Sequence, residues 1–328
     1  MMMESCKVGY PSIIGGKRKS VASPGRAPDF AQALEQWHRR HRRDLPWRRT
    51  RDPYAIWVSE IMLQQTRVET VIPYYERFLE RFPGLASLAE APEADLLACW
   101  AGLGYYTRVR NMQRAARAML EMGGFPTDYE AIRGLPGVGD YTAAAVASIA
   151  FGAPYAVLDG NVMRVMARVE DEPGDIRSTV VRRRLLDAAQ RRLDAADPGL
   201  FNQALMELGA TLCAPANPKC LLCPVETHCV ARRNGREREL PVKSRPGQRR
   251  AVVVTLLAIE KDGRLLMWRR AEDSARLAGF WELPESEMAP DAEIVGVAGT
   301  FRHSITNTTY EMVVKRARLA RKPLGFSW

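Results

Sequence analysis

Read from its apolar positions, the chain changes character once, near residue 250. Before that point apolar residues recur at intervals of three and four: Phe30, Leu34 and Trp37; Val68, Val71, Ile72, Tyr75, Phe78 and Leu79; Val162, Val165, Met166 and Val169. That is the period of helices with one buried face. Asp52-Pro53 reads as the N-cap and first position of a helix that continues through Tyr54 toward Thr66. Thr66 with Glu69 forms a capping box that opens the next helix, and Thr127 with Glu130 forms another that leads to Arg133. Asp140 to about Phe151 and Pro198 to Leu208 read as later helices. Beyond residue 250 the pattern becomes short β-type runs, Val252–Leu257 and Leu265–Trp268, around the turn Lys261-Asp262-Gly263-Arg264. The expectation is a mainly α N-terminal domain and an α+β C-terminal domain.

A length of 328 residues suits two domains, and 46% hydrophobic residues suffices for a core in each. A formal charge of +10 favours a polyanionic partner such as nucleic acid or a membrane surface. No apolar run approaches the roughly 20 residues of a membrane span, so no membrane partner is expected. Residues 1–28 hold Gly, Ser, Pro and basic residues without an apolar core, which excludes a secretory signal and reads as a disordered basic arm. Residues 232–250 carry eight Lys/Arg against two Glu, with Pro241, Pro246 and Gly247, and read as a basic linker. The division is therefore an arm at 1–28, a helical domain at 29–231, the linker, and a second domain at 251–328. A cytoplasmic, nucleoid-associated monomer is expected.

Three constellations carry candidate chemistry. Leu135-Pro136-Gly137-Val138-Gly139 joins two helical patterns; Gly137 and Gly139 permit a tight turn, and the first amides of the next helix can cradle a phosphate oxygen. Glu60 lies among Trp57, Val58, Ile61 and Met62, surroundings that keep a carboxyl protonated near neutral pH and fit it for general acid work. Composition alone would make it an ordinary exposed Glu. The cysteines Cys213, Cys220, Cys223 and Cys229 crowd into one short stretch, which in a chain without a secretory signal argues for a metal site. Their spacing leaves a [4Fe-4S] cluster and a structural zinc both open. The basic run His38 to Arg48 reads equally well as a solvated face or a nucleic-acid-facing edge, and both its histidines as surface or packing residues.

The string Leu135-Pro136-Gly137-Val138-Gly139-Asp140-Tyr141-Thr142-Ala143 resembles the helix-hairpin-helix of the endonuclease III superfamily of DNA glycosylases, and Ser59-Glu60-Ile61-Met62-Leu63-Gln64-Gln65-Thr66 resembles its MutY adenine-excising branch. The resemblance covers about Phe30 to Tyr310 and implies a helix-hairpin-helix glycosylase with an iron–sulfur loop, acting on double-stranded DNA with adenine mispairs. Glu60 would protonate the adenine, and Asp159, eighteen residues after Tyr141, would face the sugar. Tyr141 and Asn161 would order the site. Gln65 would insert beside 8-oxoguanine beside Leu63, Arg48 and Glu207 would line the adenine pocket, and Tyr105 would wedge into the base stack. The four cysteine positions match the family's [4Fe-4S] loop. Strand-cutting members carry a lysine two residues after the last hairpin glycine; Tyr141 stands there and cannot form an imine, so a monofunctional enzyme is implied.

Trp268-Arg269-Arg270 and Gly279-Phe280-Trp281-Glu282-Leu283-Pro284 resemble a Nudix-like domain without its metal-holding Glu-rich helix, hence a lesion-recognition module. Thr306 and Asn307 take the place of its contact loop. The second domain ends at Trp328, short of a full Nudix fold, so a terminal helix is expected to be missing. A pyrimidine-lesion lyase is disfavoured by Tyr141, a silent DNA-binding scaffold by Glu60 with Asp159, and a nucleotide-pool hydrolase by the absent helix.

Overall fold

A computed structural model describes residues 29–244, 250–271, 274, 279–305 and 308–328. The expected arm at 1–28, and Thr306 and Asn307 of the expected contact loop, lie outside these described residues. The chain divides into two compact units after Ser244.

In the first unit the central element is α2, Pro53–Met62, whose residues from Tyr54 to Met62 are all buried. Its start follows the expected chemistry: the Asp52 carboxylate accepts from the Tyr54 and Ala55 amides, with Pro53 in the first turn. Around it pack α1 (Phe30–His41), α3 (Val68–Arg81), α4 (Leu85–Glu90), α5 (Glu93–Trp100), α6 (Thr107–Glu121), α7 (Tyr129–Arg133), α8 (Asp140–Phe151), α9 (Gly160–Val169), α10 (Thr179–Arg192), α11 (Pro198–Thr211) and α12 (Val230–Arg233). Helix α8 is alanine-rich and buried from Thr142 to Ile149, which lets α2 and α11 approach its backbone closely. On α11 the closest approaches fall at glycines. A Cβ at Gly199 would stand 2.9 Å from the Ile149 Cα, and one at Gly209 2.6 Å from the Asn161 Cβ.

The two expected capping boxes are not formed. Helix α7 begins one residue later than read, because Asp128 accepts from the Ala131 amide at 2.9 Å, and a carboxylate is a stronger acceptor there than the Thr127 hydroxyl. Helix α3 starts after Arg67 without a side-chain cap, and the Thr66 hydroxyl turns back to the Gln64 carbonyl at 3.4 Å. Residues 232–244, read as linker, pack on the first unit instead. Leu240 is buried, its carbonyl accepts from Arg168 Nε at 2.9 Å, and the Val242 carbonyl accepts from the Ile176 amide at 3.1 Å. Arg236 pairs with Asp171 at 3.0 Å.

The second unit has two sheets. The larger runs in the order β2 (Arg264–Leu265), β1 (Arg250–Lys261), β6 (Thr308–Arg318), β5 (Glu293–Ile305), with β1 and β6 parallel; the smaller runs β4 (Trp281–Glu282), β3 (Met267–Arg269), β7 (Phe326–Ser327). The expected hairpin is present: Lys261 pairs with Arg264, and Asp262 and Gly263 both take positive φ. Leu257, Ile259, Leu266, Ala289, Ala317 and Phe326 form a small core. Among the described residues this unit has no α-helix, so the α+β reading is corrected to a mixed-sheet unit. Its helical content there is the single turn Ser286–Met288, held short by the flanking Pro284 and Pro290.

The α8–α11 contact makes a direct prediction. Gly199→Ala forces the two helix backbones apart and is expected to cost about 1–3 kcal/mol of unfolding free energy, read from urea denaturation; an unchanged midpoint would mean the helices are not in contact there.

Candidate active site and its surroundings

A cavity of about 570 Å³ opens where α2, α8, α11 and the start of α9 meet. Glu60 reaches it from α2 and is only 5% exposed. Tyr141, in the first turn of α8, donates its phenol proton to Glu60 Oε2 at 2.7 Å. Burial pushes the Glu60 carboxyl up to about 7 against the opposing effect of that hydrogen bond, and Asp159 nearby adds to the rise. The same burial pushes the Tyr141 phenol well above its usual range, so it remains a donor.

Asp159 caps α9. One carboxylate oxygen accepts from the Val162 amide at 2.7 Å, and the other from Asn161 Nδ2 at 3.0 Å. Arg164 Nη2 in turn holds the Asn161 carbonyl oxygen at 2.8 Å, which fixes the amide so that its nitrogen faces Asp159. A helix N-terminus favours the ionised form of the carboxylate that caps it. Burial instead raises the Asp159 carboxyl overall, with the hydrogen bonds from Val162 and Asn161 and the charge of Arg164 opposing it. Asp159 thus has several donors aimed at its anion, whereas Glu60 has one, and Asp159 is the member of the pair that ionises first.

The far wall is an ion cluster. Glu207 is fully buried and takes Arg43 Nε at 2.8 Å, Arg43 Nη2 at 2.8 Å, the Arg43 amide at 3.1 Å and Arg48 Nη2 at 2.7 Å. These contacts overcome burial and hold its carboxyl down at about 2. Glu207 and Arg48 were expected at this wall. Arg43 was missed, since within a basic run nothing marks the one arginine that turns inward. His38 is buried on α1 beside this cluster and is held neutral, its imidazole pushed down to about 4 by burial and Arg48; it is a packing residue.

Leu63, Gln64 and Gln65 form the cavity lip. Gln65 has φ 58° and Tyr105, 55% exposed, has φ 49°, a conformation uncommon for residues other than glycine. One residue that the sequence reading passed over joins them. Arg108 donates to the carbonyls of Ile61 (2.9 Å), Met62 (3.1 Å), Gln64 (2.6 Å), Leu103 (3.1 Å) and Gly104 (3.3 Å), and to the Thr66 hydroxyl (3.3 Å). It satisfies the carbonyls left open at the end of α2 and clamps the Tyr105 loop to the glutamine junction. A single cation placed beside a Tyr-Tyr turn was the available signal. In the hairpin, Gly137 has φ 76° and its missing Cβ would stand 2.6 Å from Asn111 Cβ, so glycine is required on two counts. Gly139 has ordinary extended backbone and open space around it.

Cys213, Cys220, Cys223 and Cys229 all line one small cavity beside Arg168. The Cys223 sulfur is hydrogen-bonded by the Val225 amide, the Cys229 sulfur by the Arg232 and Ala231 amides, and Cys213 Sγ by Arg168 Nη1 at 3.2 Å. Four thiols thus line one void with amides and a guanidinium aimed at sulfur, and among the described residues no group of three or more His, Cys, Asp or Glu is gathered closely enough to hold a single metal ion.

The pattern of the HhH-GPD superfamily base excision DNA repair proteins matches residues 58–191. The adenine DNA glycosylase of Homo sapiens is 48% identical over 222 residues, 64% of this chain and 41% of that protein; that of Arabidopsis thaliana is 34% identical over 321 residues, 85% of this chain and 51% of that protein. The chain thus spans about half the length of these curated relatives. Among solved structures, a thermostable thymine-DNA glycosylase is 31% identical with a TM-score of 0.57, covering 62% of this chain and 95% of that one. A non-covalent endonuclease III–DNA complex, 21% identical, shares the fold with a TM-score of 0.52 and covers 62% of this chain and 94% of its own.

Arg108→Ala would strand the carbonyls at the end of α2. A loss of about 2–3 kcal/mol in urea denaturation is expected, with Arg108→Lys recovering less than half, since an ammonium cannot span the fork. Full recovery by lysine would show that charge alone matters there.

Proposed function

The chain belongs to the HhH-GPD superfamily of base excision DNA repair proteins and, within it, to the adenine DNA glycosylase (MutY) family; on that premise we propose that it hydrolyses the N-glycosidic bond of adenine mispaired with 8-oxoguanine or guanine, without cutting the strand. The observation that supports this most is the pairing of Glu60 and Asp159 in one buried cavity, each held by its own donors.

Adenine is a poor leaving group until a ring nitrogen is protonated. Because Tyr141 donates to Glu60 Oε2, the acidic proton of Glu60 sits on Oε1 and is available to the base. As the bond between C1′ and the base nitrogen breaks, the sugar gains oxocarbenium character, and the Asp159 carboxylate offsets that charge. A water oxygen then bonds to C1′ and gives its proton to the Glu60 carboxylate left by the first step, which restores the starting protonation of the pair. The Arg43–Arg48–Glu207 cluster supplies fixed donors and acceptors at the base-facing wall. Tyr141 occupies the place of the lyase nucleophile and is committed to Glu60, and no lysine is among the described residues lining the cavity. That favours hydrolysis over the lyase reading.

Gln65 and Tyr105, held by Arg108 at the lip, suit insertion into the base stack at the gap left by a flipped nucleotide. The cysteine loop suits a [4Fe-4S] cluster held by Cys213, Cys220, Cys223 and Cys229, whose chemistry here would be structural cross-linking. The second unit is read as a Nudix-like lesion-recognition domain, with Phe301 and His303 on β5.

The pH dependence follows from the pair. Glu60 must be protonated, so single-turnover adenine release is expected to fall as pH rises through about 7, and to fall again in acid as Asp159 takes up its proton. Glu60→Gln and Asp159→Asn should each slow release by about 10²-fold or more on duplexes with adenine opposite 8-oxoguanine. Release that stays flat from pH 6 to 9, or survives both substitutions, would remove this mechanism.

A further inference from the structure

The basic run that the sequence leaves undecided divides sharply in three dimensions. Arg43 and Arg48 turn into the reaction cavity, and Arg49 pairs with Asp44 at 2.5 Å. Arg39, Arg42 and Arg51 do neither: with Arg48 they line a second concavity of about 170 Å³. The Arg42 amide donates to the His38 carbonyl at 2.9 Å, and Glu35 and Asp44 lie within electrostatic reach of Arg39 and Arg42, but among the described residues no side-chain hydrogen bond or ion pair engages the Arg39, Arg42 or Arg51 guanidinium. The Thr50 hydroxyl and Gly199, in the first turn of α11, also line the space. The single carboxylate there, Asp197, is engaged in capping α11 through the Leu200 amide at 3.1 Å.

Four guanidinium groups around a void whose one carboxylate is partly used in capping carry an excess of positive charge and repel one another, and the arrangement is favourable when an anion with several oxygens sits among them. We propose that this concavity is a phosphate-binding site, separate from the reaction cavity but joined to it through Arg48. The join is specific. Arg48, Ile149 and Gln203 line both spaces. The Arg48 side chain is 9% exposed, with Nη2 on Glu207 and Nη1 on the Arg43 carbonyl at 3.2 Å. A phosphate among these arginines competes with Glu207 for Arg48, so occupancy is felt at the base-facing wall. The concavity includes none of Gln64, Gln65, Tyr105 or the hairpin glycines, which places it outside the surface read above as engaging the mispair. The phosphate can come from a free ion or from the backbone of a nucleic acid strand.

The test needs no adenine-release activity, so it fails or succeeds independently of the proposed function. Full-length protein is titrated calorimetrically with inorganic phosphate and with pyrophosphate at ionic strength matched by sodium chloride, alongside the double variant Arg42→Ala/Arg51→Ala. Saturable binding that weakens at least about tenfold in the double variant, whose far-UV dichroism is unchanged, supports the site. Duplex binding measured against salt then separates the sources. A slope of log K against log salt reduced by about 1.8 in the double variant assigns the site to a DNA strand, and an unchanged slope assigns it to a free phosphate. Where the alanine pair does not fold, Arg42→Gln/Arg51→Gln carries the same reading, since glutamine removes the charge while keeping a polar side chain of similar length. No saturable anion binding together with an unchanged salt slope, or binding that persists undiminished in the double variant, would overturn the proposal.

Discussion

Two carboxyl groups buried in one cavity are what this fold must accommodate. Burial raises both Glu60 and Asp159, because it penalises the charged form of each. Their surroundings separate them: Asp159 sits at a helix start with amide and side-chain donors on its anion, while Glu60 sits among apolar residues of α2 with one phenol donor. The asymmetry requires α2 and the start of α9 to reach one cavity, with α8 within hydrogen-bond distance of α2. That convergence in turn requires the small residues of α8 and the glycines of α11. Packing and chemistry are here one constraint.

The outer parts of the site are held by arginines that work in different ways. Arg164 orients Asn161 and through it Asp159; Arg48 and Arg43 neutralise the buried Glu207; Arg108 ties the glutamine junction to the Tyr105 loop. Each replaces water at groups the fold has desolvated, and each is fixed by a planar fork rather than by charge alone. Gln65 and Tyr105, both in strained backbone, keep their positions only because Arg108 over-determines them.

Much of this was legible in the chain because it rests on local signals. Asp52-Pro53, the spacing of Asp159 from its helix, the apolar neighbours of Glu60 and the turn at Asp262-Gly263 are all set by nearest neighbours, and the structure has each of them. The capping box at Thr127 failed because two acceptors one residue apart compete and the charged Asp128 is the stronger, and the one at Thr66 failed because its hydroxyl bonds back to the Gln64 carbonyl. The roles of Arg43 and Arg108 were not legible, since their partners stand 164 and up to 47 residues away. The packing of residues 232–244 depends likewise on distant guanidinium and carboxylate partners, Arg168 and Asp171, that no run of prolines and arginines announces.

The central claim is that this cavity removes adenine by hydrolysis, with Tyr141 bound to Glu60 where a nucleophile would otherwise stand. It is tested most directly by incubating the protein with duplexes carrying adenine opposite 8-oxoguanine, guanine or thymine, each sample divided and half treated with hot alkali, with borohydride added in parallel to trap any imine. The account predicts strand breaks only after alkali, mainly opposite 8-oxoguanine, and no trapped protein–DNA adduct. Breaks without alkali, or a borohydride-trapped adduct, would reveal a nucleophile the geometry does not contain and would contradict it.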